Sequence, residues 1–161
     1  MCYTIVRPFN VYGPGELPGI HPGNSHVIPD LVNKLLVGQY PLEIFGDGLQ
    51  TRSFTHVRDV ARGVVLALES SAAVNEDFNL GVEREITILE LARLLWDICS
   101  ISKPFAVTHL EAFPHDIRRR GVNISKARKL LQWQPELSLE SGLAEVVDWL
   151  RTRLVVNELS Q

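Results

Sequence analysis

Gly46-Asp47-Gly48-Leu49-Gln50-Thr51-Arg52-Ser53-Phe54-Thr55-His56-Val57-Arg58-Asp59-Val60 reads as a tight turn, a short strand and the start of an amphipathic helix. Two glycines around an aspartate favour the turn. The strand that follows carries one arginine, Arg52. Its planar, always-charged fork suits bidentate contact with a phosphate or a carboxylate. On one arginine alone, a surface ion pair with Asp47 or Asp59 is the stronger explanation.

The same alternation extends outward from this stretch. Tyr3-Thr4-Ile5-Val6 is a short apolar, β-rich run, and a strand is expected over residues 3–8. Such a run suits a parallel strand buried on both faces. A strand of that kind needs neighbours on both sides, so the sequence reads as part of something longer. A glycine- and proline-rich loop follows to Asn24, with Pro14, Pro18 and Pro22 excluding helix and central strand. Ser25 is expected to cap a helix to about Val37, with Pro29 in its first turn and Gly38 ending it. Strands are expected at residues 42–45 and 52–54. A helix over residues 56–69 would bury Val57, Val60, Ala61, Val64, Val65 and Leu68.

Further along, Phe78-Asn79-Leu80 reads as a strand ending at Gly81. Thr87 and Glu90 form a capping box, followed by the stripe Ile88, Leu91, Ala92, Leu95 and Ile98. A strand is expected over residues 105–108 and a short helix over 125–131, stopped before Pro135. Ser138 caps a last helix with the stripe Leu139, Leu143, Val146, Val147, Leu150 and Leu154, beyond which the tail should fray. Helices alternating with short strands give the class α/β.

Composition narrows the function. The 161 residues suffice for one domain with a real core, and the formal net charge is -3. A nucleic-acid partner is disfavoured, because many phosphates need a basic face. No apolar run reaches membrane-spanning length, and the first residues lack the plan of a signal peptide. Cys2 and Cys99 have no metal-like spacing and read as reduced thiols of a cytoplasmic protein.

Several residues are placed for binding. Asn10 sits where a strand leaves the sheet, the place where open α/β sheets bind ligands. It would contact a sugar or phosphate, or merely shape the turn. His26 and Val27 open a helix whose free N–H groups and positive end form a phosphate cradle, unless they are a plain helix start. Asp116 would hold ribose hydroxyls and a neighbouring arginine a pyrophosphate; a solvated charge run explains Arg118, Arg119 and Arg120 equally. His109, Glu111, His115 and Asp116 invite a metal reading, but their spacing fits no helical ligand pair, and no metal is expected.

Some chemistry is missing from the sequence. Prolines interrupt the glycines at 13, 15, 19 and 23, which bars the strand–turn–helix of a dinucleotide fingerprint. No tyrosine is followed four residues later by lysine, so the general acid/base pair of a short-chain reductase is absent.

Taken together, Arg7-Pro8-Phe9-Asn10-Val11-Tyr12-Gly13-Pro14, His26-Val27-Ile28-Pro29, Phe45-Gly46-Asp47-Gly48, Thr51-Arg52-Ser53-Phe54-Thr55-His56-Val57-Arg58-Asp59, Phe78-Asn79-Leu80-Gly81 and Asn123-Ile124-Ser125-Lys126-Ala127 form an ordered set. In order and spacing it resembles the C-terminal half of an NAD-dependent nucleotide-sugar epimerase/dehydratase of the extended short-chain dehydrogenase/reductase family. The resemblance covers residues 3–153. It implies the C-terminal part of a Rossmann-type fold: a few sheet strands plus a small mixed α/β substrate-binding domain. On this view residues 3–14 and 77–100 belong to the Rossmann side, and 15–76 and 101–154 to the nucleotide-sugar-binding subdomain. The catalytic N-terminal half would lie outside the sequence.

The resemblance also implies roles. Asn10 would contact the nucleotide-sugar, His26 and Val27 would offer N–H groups to the pyrophosphate, and Arg52 would grip it. Glu43 and Phe45 would flank the base, and Asp116 would hold the ribose. Pro8 and Phe9 would lie beside the nicotinamide of NAD or NADP, which this chain alone is not expected to bind. Phe113 stands where some members carry a pyrophosphate-binding arginine, and Arg118 or Arg119 would substitute. The implied partner is a UDP-sugar first, with dTDP- and GDP-sugars open, in a parent that is a homodimer.

Three functions compete. The chain is the substrate-binding half of an epimerase, dehydratase or decarboxylase; or a non-catalytic module for a nucleotide-sugar or a protein; or a relative turned RNA-associated scaffold. The acidic balance disfavours the third. Without a partner half, the strands at 3–8 and 78–80 would expose apolar surface and unpaired backbone.

Overall fold

A computed structural model describes residues 1–19 and 25–158, with side chains described as far as Arg153. Ile20 to Asn24, including Pro22 and Gly23 of the expected loop, lie outside the described residues, as do the side chain of Leu154 and residues 159–161 of the expected tail. The element order is β1 (Thr4–Pro8), β2 (Val11–Tyr12), α1 (Val27–Leu36), β3 (Leu42–Phe45), β4 (Thr51–Arg52), β5 (Thr55–His56), α2 (Val57–Glu69), β6 (Glu76–Leu80), β7 (Ile86–Thr87), α3 (Ile88–Ile98), β8 (Val107–Leu110), β9 (Arg119–Arg120), α4 (Ser125–Leu131) and α5 (Leu139–Glu158). The fold is α/β, and β1–β6, β2–β5, β3–β8 and β4–β9 all pair in parallel. The chain divides into two compact units.

The first unit comprises residues 1–12, 51–86 and 119–139. Its core gathers Val60 and Ala67 of α2, Phe78 and Leu80 of β6, and Ile124, Ala127, Leu131 and Trp133 around α4. The expected stripe of α2 is corrected here. The face that α2 buries is Asp59, Val60, Gly63 and Ala67. Val57, Val64, Val65 and Leu68 are exposed, Leu68 to 84%. Gly63 is the reason. A Cβ there would stand 2.5 Å from Leu80 Cδ1 and 2.9 Å from Trp133 Nε1, so only glycine lets the helix seat this closely.

Asp59 is 2% exposed. Its carboxylate accepts from the backbone N–H of Glu136 at 3.1 Å and of Leu137 at 3.0 Å, and from Arg62 Nη2 at 3.0 Å. The Trp133 indole donates to Asp59 O at 3.0 Å. Residues 133–137 are thereby clamped onto the first turn of α2.

β1 exposes apolar surface, as expected of this strand without a partner half, whereas Phe78 and Leu80 of β6 are buried. It pairs with β6 alone among the described residues, with Ile5 45% exposed and Tyr3 52% exposed. Its polar side is an ion cluster: Arg7 Nη1 and Lys126 Nζ each meet the Asp77 carboxylate at 2.5 Å, and Lys126 also meets Glu76 at 2.7 Å. Lys126 first, then Arg7, hold the Asp77 carboxyl down at about 2.

The second unit comprises residues 13–50, 87–118 and 140–161. α1 buries Ile28, Leu31, Val32 and Leu35 against β3 and α3. Its N-cap is His26 rather than the expected Ser25, whose hydroxyl donates to His26 O. Gly38, at φ 82, ends the helix as expected. The capping box of Thr87 and Glu90 is present, and α3 buries Ile88, Leu91, Ala92, Leu95 and Trp96. β8 starts at Val107, two residues later than expected, because Leu42 of β3 takes Val107 as its partner. α5 begins directly after Ser138, buries Leu143, Val146, Val147 and Leu150, and continues to Glu158 rather than fraying after Leu154.

Replacing Asp59 leaves two part-buried N–H donors, of Glu136 and Leu137, without their acceptor and removes one of the partners of Arg62. Asp59→Ala is expected to cost about 3 kcal/mol in urea unfolding. Asp77 sets an acid limit. A carboxylate whose folded pKa is depressed stabilises fully above its unfolded pKa, and that contribution disappears as the pH falls through the folded value. Stability should therefore drop from about pH 4 to about pH 2. Asp77→Asn should flatten that drop in melts recorded across the window.

Candidate functional site

The first unit builds a polar corner at the carboxyl end of β1. Asn10 turns the chain there at φ 38, a left-handed conformation that asparagine tolerates. Its Nδ2 donates to Ser53 O at 2.9 Å, and Thr55 N donates to Asn10 O at 3.1 Å. These two bonds fasten the segment next to Arg52 to the end of a parallel strand. Asn10 thus acts as an anchor, in keeping with the turn-shaping alternative. Phe9 N donates to Leu80 O at 2.9 Å, which leaves Phe9 half-buried and Pro8 exposed at the same end. Ser53 is fully buried, and its Oγ has no hydrogen-bond partner among the described residues.

Arg52 is half-buried on β4, with Nη1 donating to Thr51 O at 2.8 Å. Thr51 Oγ1 donates to Glu85 Oε2 at 2.7 Å. Arg119 lies opposite Thr51 on β9 and donates from Nε at 3.0 Å and from Nη2 at 2.9 Å to the same carboxylate. Arg119 and then Thr51 hold the Glu85 carboxyl below its usual range. Arg52 and Arg120 are register partners on these strands. Glu85 is the residue sequence reasoning missed here: no periodicity connects it with a strand 34 positions away.

The second unit holds the other expected residues. The His26 ring pairs with the Glu16 carboxylate, and Asp30 lies in the first turn of α1. Two acidic groups thus already sit at the positive end of that helix, and Pro29 offers no N–H. Glu43 is tied down: its N–H donates to Gln39 Oε1 at 3.1 Å, its Oε2 accepts from Gln39 Nε2 at 3.0 Å, and its carbonyl accepts from Lys34 at 3.1 Å. Phe45 stacks on Phe113 with ring centres 4.3 Å apart and an interplanar angle of 32°. Lys34 Nζ lies 5.2 Å from the centre of the Phe45 ring.

The turn after β3 follows its sequence closely. Gly46 and Gly48 take φ 69 and 74, and Leu49 N donates to Asp47 Oδ1 at 2.9 Å. Arg118 Nη1 reaches both Asp47 oxygens, at 2.7 and 2.9 Å. That contact lowers the Asp47 pKa and raises that of Arg118. Asp116 N donates to Phe113 O at 3.2 Å and closes a turn at the start of the 113–118 segment. Asp47 pairs with Arg118, and Asp59 with Arg62. His109 Nδ1 lies 2.8 Å from Gly46 O. Among the described residues no three His, Cys, Asp or Glu side chains converge as a metal site would require. No helix among them is long and apolar enough to cross a membrane.

Comparison with known proteins adds a second line of support. Residues 1–81 match the model of the NAD dependent epimerase/dehydratase family. A UDP-N-acetyl-alpha-D-glucosaminuronate decarboxylase of Bacillus cytotoxicus is 36% identical over 152 residues, covering 92% of this chain and 46% of that protein. The crystal structure of UDP-glucose 4-epimerase with UDP-glucose from Thermotoga maritima superposes with a TM-score of 0.84 at 34% identity, over 96% of this chain and 47% of its own. The UDP-glucuronic acid 4-epimerase of Bacillus cereus, in complex with UDP-glucuronic acid and NAD, gives 0.80 at 35% identity, over 94% and 45%. The chain spans less than half the length of these relatives.

The turn after β3 yields a test. A Cβ on Gly48 would lie 2.9 Å from Ile44 Cδ1 and 3.3 Å from Leu89 Cβ, at a φ that disfavours side chains. Gly48→Ala is expected to cost about 2 kcal/mol, read by denaturant unfolding.

Proposed function

This chain belongs to the NAD-dependent epimerase/dehydratase family, and we propose that it is the substrate-binding half of an enzyme that epimerises, dehydrates or decarboxylates a nucleotide-sugar. The observation that carries this reading is the fastening of the Arg52 segment to the carboxyl end of β1 through Asn10. Open α/β sheets bind ligands at the carboxyl ends of their strands. A guanidinium placed there by a rigid turn loses little freedom when it meets a diphosphate. Arg52 is the proposed pyrophosphate ligand. Asn10 positions it, with its side-chain amide committed to Ser53 O.

In the second unit, Phe45 is proposed as a contact for the base and Asp116 for the ribose hydroxyls. His26 and Val27 remain the proposed N–H donors, although Glu16 stands in competition with an anion there. Arg118 reaches a phosphate only by leaving Asp47, and Arg119 only by leaving Glu85. The relatives act on or are bound to UDP-sugars, which favours a UDP-sugar as the ligand.

The family's cofactor is NAD, which accepts and returns a hydride when bound. The described residues fit one part of it. Pro8 and Phe9 form an apolar edge at the carboxyl end of β1, suited to the flank of a flat ring. They do not fit its pyrophosphate: Phe9 and Asn10 alone connect β1 to β2, so no helix N-terminus follows the strand. The tyrosine–lysine pair is also absent from this sequence. NAD binding and turnover by this chain alone are therefore not proposed. The thiols of Cys2 and Cys99, both free, suit a cytoplasmic parent.

Arg52→Ala is expected to weaken UDP binding by about 1.5–3 kcal/mol, the range of a hydrogen bond to a charged group. Calorimetry on the folded variant reads it. Affinity equal to that of the unsubstituted chain would remove Arg52 from the site.

A further inference from the structure

We infer that two copies of this chain pair through the exposed side of α2, antiparallel and about a two-fold axis at the middle of the helix, a pairing that does not depend on the substrate reading above. Val57, Ala61, Val64 and Leu68 are exposed along one side of α2. They stand four, three and four residues apart, the alternation of a helix–helix seam. Val65 widens the stripe, and Leu68 is 84% exposed. Single apolar groups on a surface are ordinary, but a continuous stripe along one helix marks an association face. The inner side of α2 is already seated on Leu80 and Trp133 through Gly63. The outer stripe therefore calls for a second surface.

The stripe is its own complement when read in the opposite direction. Val57 then meets Leu68 of the second copy, and Ala61 meets Val64. A two-fold contact requires this self-complementarity. At the centre a small side chain faces a larger one, which lets the two helices interlock. A parallel copy would face Ala61 with Ala61 and leave a gap there.

Charge selects the same occupant. Arg58 is exposed in the first turn of α2, and Glu69 is exposed at its last residue. Each stands at the helix end that its charge disfavours, and the last turn holds no basic residue. The two are eleven residues apart, so they share one flank of the helix. An antiparallel copy brings its Glu69 to the positive end of α2, beside Arg58, and symmetry repeats the contact at the other end. The reversed charges thereby become favourable twice. β1 is a poorer edge for self-association: Pro8 donates no N–H, and Arg7 is engaged with Asp77. One helix pair buries less than the about 800 Å² per partner of a standard interface, so the dimer is a micromolar one.

Sedimentation equilibrium of this chain over about 1 to 100 μM should show a reversible monomer–dimer equilibrium. Leu68→Glu and Val64→Glu change exposed positions, so both variants should fold, as circular dichroism would check. Each should weaken the dimer by about ten-fold or more. Glu69→Arg should weaken it too, and adding Arg58→Glu should restore it. Orientation is read from Val57→Cys and Leu68→Cys, each made in a chain carrying Cys2→Ser because Cys2 is exposed. Mixed and oxidised in air, the two variants should form a disulfide with each other, and neither should form one alone. A chain that stays monomeric throughout that range would overturn the inference, leave the α2 stripe to an occupant other than a second copy, and leave the substrate reading untouched. A dimer that Leu68→Glu does not weaken would also overturn it, with association running through another surface such as β1. Disulfides formed by each variant alone, or a loss with Glu69→Arg that Arg58→Glu deepens, would overturn the antiparallel pairing.

Discussion

The buried carboxylate of Asp59 is the constraint on which the first unit depends. It sits in the first turn of α2 and accepts from the N–H groups of Glu136 and Leu137, while Arg62 neutralises it. A charge this deep is tolerated only when paired and hydrogen-bonded. The same residue's carbonyl receives the Trp133 indole. Residues 133–137 therefore cannot drift from α2 without stranding a charge. That clamp holds Trp133 and the end of α4 over Leu80 and Phe78, and through β6 it holds β1 in register. The carboxyl end of β1, where Asn10 fastens the Arg52 segment, inherits this rigidity.

Arginines and acids around the candidate site are matched locally. Arg118 lies on Asp47, Arg119 on Glu85, and Arg62 on Asp59. Arg118 and Arg119 are largely exposed, so water screens their pairs, and a pair of that kind contributes little to stability. What such pairing supplies is orientation.

α2 shows why periodicity alone misplaced a face. The helix has apolar residues on two sides, so a stripe through Val57, Val64, Val65 and Leu68 satisfies the helical repeat as well as the buried one does. The sheet selected the side with Gly63 and Ala67, because small residues let the helix seat against Leu80 and Trp133. The side bearing an aspartate became the inner one, since its partners arrive from residues 134–137, distant in sequence. β8 followed the same logic: its start was decided by the partner strand and not by its own β propensity.

Local chemistry was legible wherever the deciding atoms are neighbours in the chain. Thr87 and Glu90 made their capping box, Leu42–Phe45 and Ser125–Leu131 formed where expected, and the Gly46–Gly48 turn took the left-handed conformations that its glycines permit. The parallel α/β class and the family were legible from the order of the segments. Tertiary structure alone decided which side of α2 is inside, that Asn10 anchors the strand of Arg52, that Glu85 holds Arg119, and that Phe113 stacks on Phe45. Each of these pairs groups separated by 17 to 78 positions. No local spacing encodes such a meeting; it exists only once the sheet has brought the two segments together.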